Sequence, residues 1–128
     1  MNPSMNLLEI YADEAGETHF RTASVELEAN HYAPPSPLLE ISAETAVTTS
    51  LFLVAPPGWD DAFHVTQRRQ YAVLLDGGLS LTASGGETVT MKPGDMVLLN
   101  DFGSKGHLSK VQGDRPARFL MIGCPAKS

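Results

Sequence analysis

The sequence predicts an all-β protein in which one barrel domain follows an N-terminal arm. Its eleven Gly and nine Pro residues fall between short apolar runs rather than inside long ones, a spacing typical of many short strands joined by turns. Apolar and polar residues alternate with period two, most clearly in Thr88-Val89-Thr90-Met91, as expected of half-buried strands. Helix signals are nearly absent, and a sheet of this length must close into a sandwich or barrel to protect its edges.

Candidate strands follow from the same patterns, and glycine-rich turns separate several of them. The strands cover residues 23–29, 47–54, 69–76, 79–83, 87–91, 96–99, 106–111 and 118–123. Asp76-Gly77-Gly78 lies between two of them and predicts a hairpin, because Asp-Gly and Gly-Gly supply the positive φ of the primed turns. Ser84-Gly85-Gly86 repeats this pattern one strand later. We therefore expect a β-meander through about residue 99.

A proline cluster at residues 33–37 divides the chain into an arm, residues 1–37, and a barrel, residues 38–128. The whole chain of 128 residues has the size of one domain. The arm is therefore expected to pack on the barrel. Because an arm before a barrel can also reach a neighbouring subunit, we expect a homodimer.

Charge and hydropathy exclude two classes of partner. The net charge is -6 and the nine Lys and Arg residues form no run longer than Arg68-Arg69, so nucleic acid is not expected. No apolar run approaches the ~20 residues that a bilayer requires, and the N-terminus lacks the order of a signal peptide. We expect a cytoplasmic protein without a membrane partner, in which the single cysteine, Cys124, is a buried and inert thiol.

Two motifs carry the chemistry of the chain. The first reads Gly58-x5-His64-x-Thr66-x3-Gln70-x6-Gly77, and the second begins at Pro93-Gly94-Asp95 and ends at His107. Both resemble the motifs of the cupin superfamily, which carry Gly, His, His, Glu and Gly in the first and a further His in the second. Here Thr66 stands in place of a His and Gln70 in place of the Glu.

The flanking sequence resembles a subgroup of small, single-domain bacterial cupins without an assigned reaction. The similar stretches are residues 16–20, 56–59, 68–70 and 101–107. This resemblance implies a cupin-type jelly-roll β-barrel over nearly the whole chain. It does not imply a reaction, because one fold hosts many chemistries.

The motif residues predict a pocket and a candidate metal site. On one strand, positions 64, 66, 68 and 70 share a face unless a bulge intervenes. The resemblance implies that His64, His107 and Gln70 hold one divalent ion, which could be iron, nickel, manganese or zinc. A metal-free pocket stays open, since two imidazoles and an amide form a neutral and weak donor set. Gln70 could instead orient His64.

Further residues are expected to line the pocket. Thr66 leaves space for a ligand, and an inward Arg68 would bind a carboxylate with two hydrogen bonds, although a salt bridge at the rim would also explain it. Trp59 and Phe102 form apolar walls at the mouth or cover the end of the barrel. Asp101 caps its turn, the favoured interpretation, or orients His107. His19 and His31 lie outside the motifs and are interpreted as structural.

Three functions are compatible with these residues. The first is a metal-dependent enzyme of oxygenase, isomerase or lyase type acting on a small, anionic molecule; without metal, the two imidazoles could serve as general acid and base. The second is a small-molecule-binding or sensing protein without catalysis. A third, an interaction protein with a packed barrel, is disfavoured by the polar set on the motif strand. The sequence names no substrate, metal or reaction.

Overall fold

The computed structural model describes residues 4–66 and 68–125. Within these ranges the chain forms eleven strands and no helix, which confirms the predicted all-β class. The strands are β1 Ser4–Ala12, β2 Thr18–Glu26, β3 Glu28–Asn30, β4 Leu39–Ile41, β5 Thr49–Ala55, β6 Gln70–Asp76, β7 Leu79–Ala83, β8 Thr88–Met91, β9 Met96–Asn100, β10 His107–Val111 and β11 Ala117–Gly123. In the part of the chain so described, there is no helix of the length and apolarity needed to cross a membrane.

Two sheets enclose one core. The larger has six strands in the order β2-β1-β9-β6-β11-β5, and the smaller has three in the order β10-β7-β8. β1 and β9 run parallel, and the other pairs in both sheets are antiparallel. The core draws Leu74 and Phe119 from the larger sheet and Leu79 and Leu81 from the smaller.

Period-two alternation decides which side chains enter this core. On β7, Leu79, Leu81 and Ala83 are buried while Ser80 and Thr82 between them are only partly covered. Burial of one large aliphatic side chain stabilises a fold by about 1.5–3 kcal/mol. A shift of one residue would turn this whole set toward the other face, so the alternation fixes the register.

One of the two predicted hairpins forms and the other does not. β7 and β8 pair around Ser84-Gly85-Gly86, as predicted. The prediction for Asp76-Gly77-Gly78 is wrong, because β6 lies in the larger sheet and β7 in the smaller. Gly77 has a φ of 84° and lies tight against the Pro116 main chain, so this turn carries the chain from one sheet to the other. The meander through residue 99 is therefore wrong as well.

The N-terminal segment contributes to the barrel itself. β1, absent from the predicted strands, pairs with β9, and its Ile10 is completely buried in the core. Residues 4–26 thus continue the larger sheet, whereas β3 and β4 pair only with each other. The boundary between residues 37 and 38 stays a prediction.

His19 joins the two sheets at the start of β2. Its Nε2 lies 2.8 Å from Asp13 Oδ2 and its Nδ1 lies 3.2 Å from Glu87 Oε1. The hydrogen bond to Asp13, followed by that to Glu87, raises the pKa of His19. The hydrogen bond to His19 in turn lowers the pKa of Asp13. A structural role for His19 agrees with these contacts.

We predict that His19→Gln flattens the dependence of stability on pH. Because the folded-state pKa of His19 is raised, its contribution is complete below the ordinary value of about 6.5. That contribution is lost as the pH rises through the folded-state pKa. Melting temperatures measured from acidic to alkaline pH should therefore fall less in the variant than in the wild type. His31→Gln is the control, because His31 is exposed; equal slopes in both variants would contradict the prediction.

Candidate functional site

A cavity of about 420 Å³ lies between the two sheets. Most of its wall is apolar and comes from strands of both sheets, including Leu53, Leu81, Leu99 and Phe119. The polar side chains on its wall are those of His64, Thr66, Arg68, Gln70, His107 and Ser109. Ligand pockets for small molecules span roughly 300–1,000 Å³, so this cavity has the size and the mixed lining of a small-molecule site.

A reciprocal main-chain bridge places the two motif histidines side by side. The His64 amide donates to the His107 carbonyl at 3.0 Å, and the His107 amide donates to the His64 carbonyl at 2.9 Å. The ring centroids are 4.6 Å apart and the rings meet edge to face at 60°. The two histidines, 43 residues apart in the sequence, are therefore neighbours in the structure.

Asp101 orients the imidazole of His107. Its Oδ2 lies 2.6 Å from His107 Nδ1, and the two residues are 0% and 3% exposed. The turn is closed instead by the Asp101 main-chain carbonyl, which accepts a hydrogen bond from the Ser104 hydroxyl. The favoured interpretation of the Asp101 side chain as a turn cap is therefore wrong. With Nδ1 engaged, Nε2 is the nitrogen of His107 available to a ligand.

Asp61 holds a similar position beside His64. Its Oδ2 lies 2.8 Å from His64 Nδ1, at ion-pair distance but without hydrogen-bond geometry. The same nitrogen lies 3.2 Å from the Ala62 carbonyl oxygen, while Asp61 Oδ1 accepts from the Ser109 amide at 2.7 Å. Asp61 is not among the site residues predicted from the sequence. Its signal was a carboxylate three residues before a motif histidine.

The remaining motif residues divide between the interior and the mouth of the cavity. Thr66 is 4% exposed, and its hydroxyl has no hydrogen-bond partner among residues 4–66 and 68–125. Gln70 is partly buried where β6 begins. Arg68 is exposed, packs against Gly123, and donates from Nη2 to the Thr49 hydroxyl at 2.7 Å. Arg68 makes no ion pair with a carboxylate of the described residues, so the predicted rim salt bridge is not formed there.

Of the two predicted aromatic walls, only one lines the cavity. Trp59 lies on the cavity wall, whereas Phe102 lies beside a separate depression that includes Tyr11 and Arg21. The prediction that Phe102 lines this cavity is therefore wrong. Asp101 turns its side chain inward to His107, and the next side chain, Phe102, is left outside and largely exposed.

The three predicted metal ligands line one cavity. His64 and His107 supply two imidazoles and Gln70 supplies an amide. Asp61 and Asp101 lie near Nδ1 of His64 and His107, respectively. They therefore contact the imidazole rings and are not themselves members of the predicted ligand set. No group of three or more His, Cys, Asp or Glu residues suited to a metal occurs among those described. Metal binding by this set stays a prediction.

A sequence model of the cupin domain matches residues 51–123, more than half of the chain. The chain is a cupin. Its matched region begins on β5 and ends with β11, and so contains both motif histidines. Comparison with curated proteins found no match.

One solved structure with a TM-score above 0.5 agrees with this assignment of the fold, and two further structures are similar to parts or all of the chain. A Cupin 2 conserved barrel domain protein from Salinispora arenicola is 18% identical, with a TM-score of 0.53 over 80% of this cupin and 76% of that chain. A sugar phosphate isomerase of the cupin superfamily from Silicibacter pomeroyi is 23% identical, with a TM-score of 0.49. That match covers 60% of this cupin and half of the isomerase chain. A putative ethanolamine utilization protein Q from Salmonella typhimurium is 19% identical, with a TM-score of 0.44 over 99% of both chains.

We predict that Gly106→Ala disrupts the bridge between His64 and His107. Gly106 has a φ of 83°, and a Cβ there would overlap the His64 carbonyl group. The control is Gly103→Ala, since Gly103 has a φ of 72° with open space around it. The positive φ costs each variant about 1–2 kcal/mol, and the overlap should cost Gly106→Ala a further ~1–3 kcal/mol. Equal free energies of unfolding in urea would contradict this prediction.

Proposed function

We propose that this cupin binds a small organic acid, with the carboxylate at the mouth of the barrel and the apolar body inside. The observation that carries the proposal is the single cavity that joins Arg68, an apolar wall, and the buried polar group formed by Thr66 and His107. Arg68 would bind the carboxylate and the apolar wall would contact the apolar body. Thr66 and His107 would contact a polar group at the other end of the ligand. The size of the cavity, about 420 Å³, suits a small molecule rather than a polymer.

Arg68 supplies the charge that selects an anion. One of its terminal nitrogens is fixed by the Thr49 hydroxyl, which holds the guanidinium at the mouth and leaves further N–H donors for a ligand. A guanidinium matches a carboxylate with two parallel hydrogen bonds. Since Arg68 makes no ion pair with the described residues, a bound carboxylate would not have to displace an internal partner from it.

The interior of the cavity supplies a second polar contact. The Thr66 hydroxyl is buried and has no hydrogen-bond partner among the described residues, and an unsatisfied buried polar group costs about 1–3 kcal/mol. A ligand hydroxyl or carbonyl would remove that cost. Because Asp101 engages His107 Nδ1 at 2.6 Å, His107 presents Nε2 with its orientation fixed. The proposed ligand therefore has an acid at one end and an oxygen function at the other.

The same geometry supports proton transfer as a second candidate function. Two imidazoles with ring centroids 4.6 Å apart each have a carboxylate near Nδ1, and an imidazole is a side chain that can both accept and donate a proton. One ring could then accept a proton from a bound acid while the other donates one. This chemistry is of isomerase or lyase type and uses only residues of this chain.

We predict that Arg68 gives the cavity a preference for carboxylates. Trp59 is the only tryptophan and lies on the cavity wall, so its fluorescence reports on binding. Hexanoate should bind more tightly than hexan-1-ol, which has the same chain length without the charge. In Arg68→Gln the hexanoate affinity should fall about tenfold, the effect of losing charge-assisted hydrogen bonds at a solvated site, and the affinity for the alcohol should not change.

Arg115→Gln is the matched control, because Arg115 pairs with Asp76 outside the cavity. It should leave both affinities at the wild-type value. Equal affinity for hexanoate and hexan-1-ol in the wild type would contradict the proposal. An equal loss in the two arginine variants would show that net charge, rather than a contact with Arg68, attracts the acid.

We also predict that hexanoate binding does not require a metal. The described residues hold only two imidazoles and one amide at the candidate site, and each missing ligand weakens a divalent site. Protein purified without chelator and then desalted should retain well under one equivalent of iron, nickel, manganese or zinc by elemental analysis. Treatment with chelator should leave the hexanoate titration unchanged. One retained equivalent that His64→Ala removes, together with a loss of binding after chelation, would instead support the metal-dependent alternative.

A further inference from the structure

β5 is an edge strand that nothing in residues 4–66 and 68–125 covers. It pairs with β11 on one side, and it ends the order of the larger sheet on the other. Residues 49–54 are exposed, and only Ala55 is buried. Phe52 is 77% exposed and Val54 is 56% exposed. A long, apolar edge strand of this kind readily pairs with another chain.

The uncovered surface continues from β5 onto the outer face of the sheet. Leu53 and Met121 line the cavity, so the alternate residues on β5 and β11 point outward. The register places Phe52 opposite Leu120, and Leu120 opposite Val73 of β6. This row of apolar side chains runs inward from the exposed edge of the larger sheet.

The β3–β4 hairpin shows the same lack of cover. Its two strands of three residues pair only with each other, and nearly every residue in it is exposed. Tyr32 is 70% exposed, and Leu38 and Leu39 are more than two-fifths exposed. A single hairpin is marginally stable in water at best. The hairpin and the β5 edge are therefore two apolar surfaces of one chain, each without a partner.

Their charges are complementary. The hairpin region, residues 28–44, contains no Lys or Arg and carries Glu28, Glu40 and Glu44, all exposed. Beside β5, the exposed Arg118 lies opposite Val54 in the register. Arg118 makes no ion pair within the described part of the chain. An acidic, apolar hairpin matches the chemistry of this edge.

The exposed area is large enough for a stable interface. The chain exposes 7996 Å², whereas a folded monomer of 13.7 kDa exposes about 6,600 Å². The excess of about 1,400 Å² is greater than the ~800 Å² that each partner buries in an interface of standard size. The surplus is therefore sufficient for one side of an interface of standard size.

We propose that a second copy of this chain lays its β3–β4 hairpin against β5 and the adjoining outer face, and receives the hairpin of the first copy in return. This reciprocal exchange forms a closed dimer with two-fold symmetry. Leu53 belongs both to β5 and to the cavity wall, so the partner's hairpin also covers one side of the cavity. The inference concerns assembly and does not depend on the ligand proposed above.

Sedimentation equilibrium tests the surface. The wild type should be a dimer, and Phe52→Glu should be a monomer at the same concentration, because the substitution puts a charge into the proposed interface. Phe102→Glu is the matched control, since Phe102 is also exposed but lies far along the chain from β5 and next to a different depression. Phe52→Glu should keep the wild-type circular dichroism, as Phe52 makes little contact within its own chain. A monomeric wild type, or dimeric Phe52→Glu, would overturn the proposal.

Cross-linking tests the occupant. Leu39→Cys and Phe52→Cys chains are co-expressed with different tags and treated with a short bis-maleimide; wild-type chains, whose only cysteine is the buried Cys124, give the background. The expected product is a covalent dimer carrying both tags. A dimer formed by Phe52→Cys alone would show that two β5 edges pair directly, and would overturn the exchange. A third chain carries both Leu39→Cys and Phe52→Cys. If this chain is cross-linked within itself and stays a monomer, the hairpin folds onto its own β5, which would also overturn the exchange.

Discussion

The structure depends on the reciprocal main-chain hydrogen bonds between His64 and His107, at 3.0 and 2.9 Å. These bonds attach the segment before β6 to the first residue of β10, and so join the larger sheet to the smaller one beside the cavity. Gly106 permits the approach because any side chain there would overlap the His64 carbonyl. The bridge positions two imidazoles through the main chain, and their side chains remain free to meet other groups.

The carboxylates beside these rings change the chemistry that the two motifs imply. Asp101 is completely buried against His107, and Asp61 lies near Nδ1 of His64. Each ring thus has a carboxylate near its Nδ1, while Thr66 and Gln70 stand at the positions where the resemblance implies a His and a Glu. The orphaned Thr66 hydroxyl adds a polar atom without a partner to the same interior. An arrangement of this kind favours a ligand that brings its own oxygen atoms.

The sequence predicted most strands and the pairing of motif residues, because both depend on local patterns. Alternation located β7 and β8 within one residue at each end, and motif spacing placed His64 and His107 in one cavity. It failed where long-range packing decides the outcome. Gly77 fits a hairpin as well as a crossover, and only the Pro116 main chain beside it distinguishes them. The direction of Phe102 was likewise set by tertiary contacts that no spacing reveals, whereas Asp61 precedes His64 by three residues and that spacing could have identified it.

The open edge at β5 connects assembly with the cavity. Leu53 is more than two-fifths exposed although it lines the cavity, so one side of the interior is bounded by an incompletely covered strand. An apolar wall that faces water attracts an organic ligand weakly, since part of the ligand would stay hydrated. Cover over β5 would remove that water from the wall without altering Arg68, whose guanidinium is held by Thr49 at the start of the same strand. Association at the β5 edge would therefore favour binding of an acid at the mouth, and binding of the acid would favour association, because both involve β5.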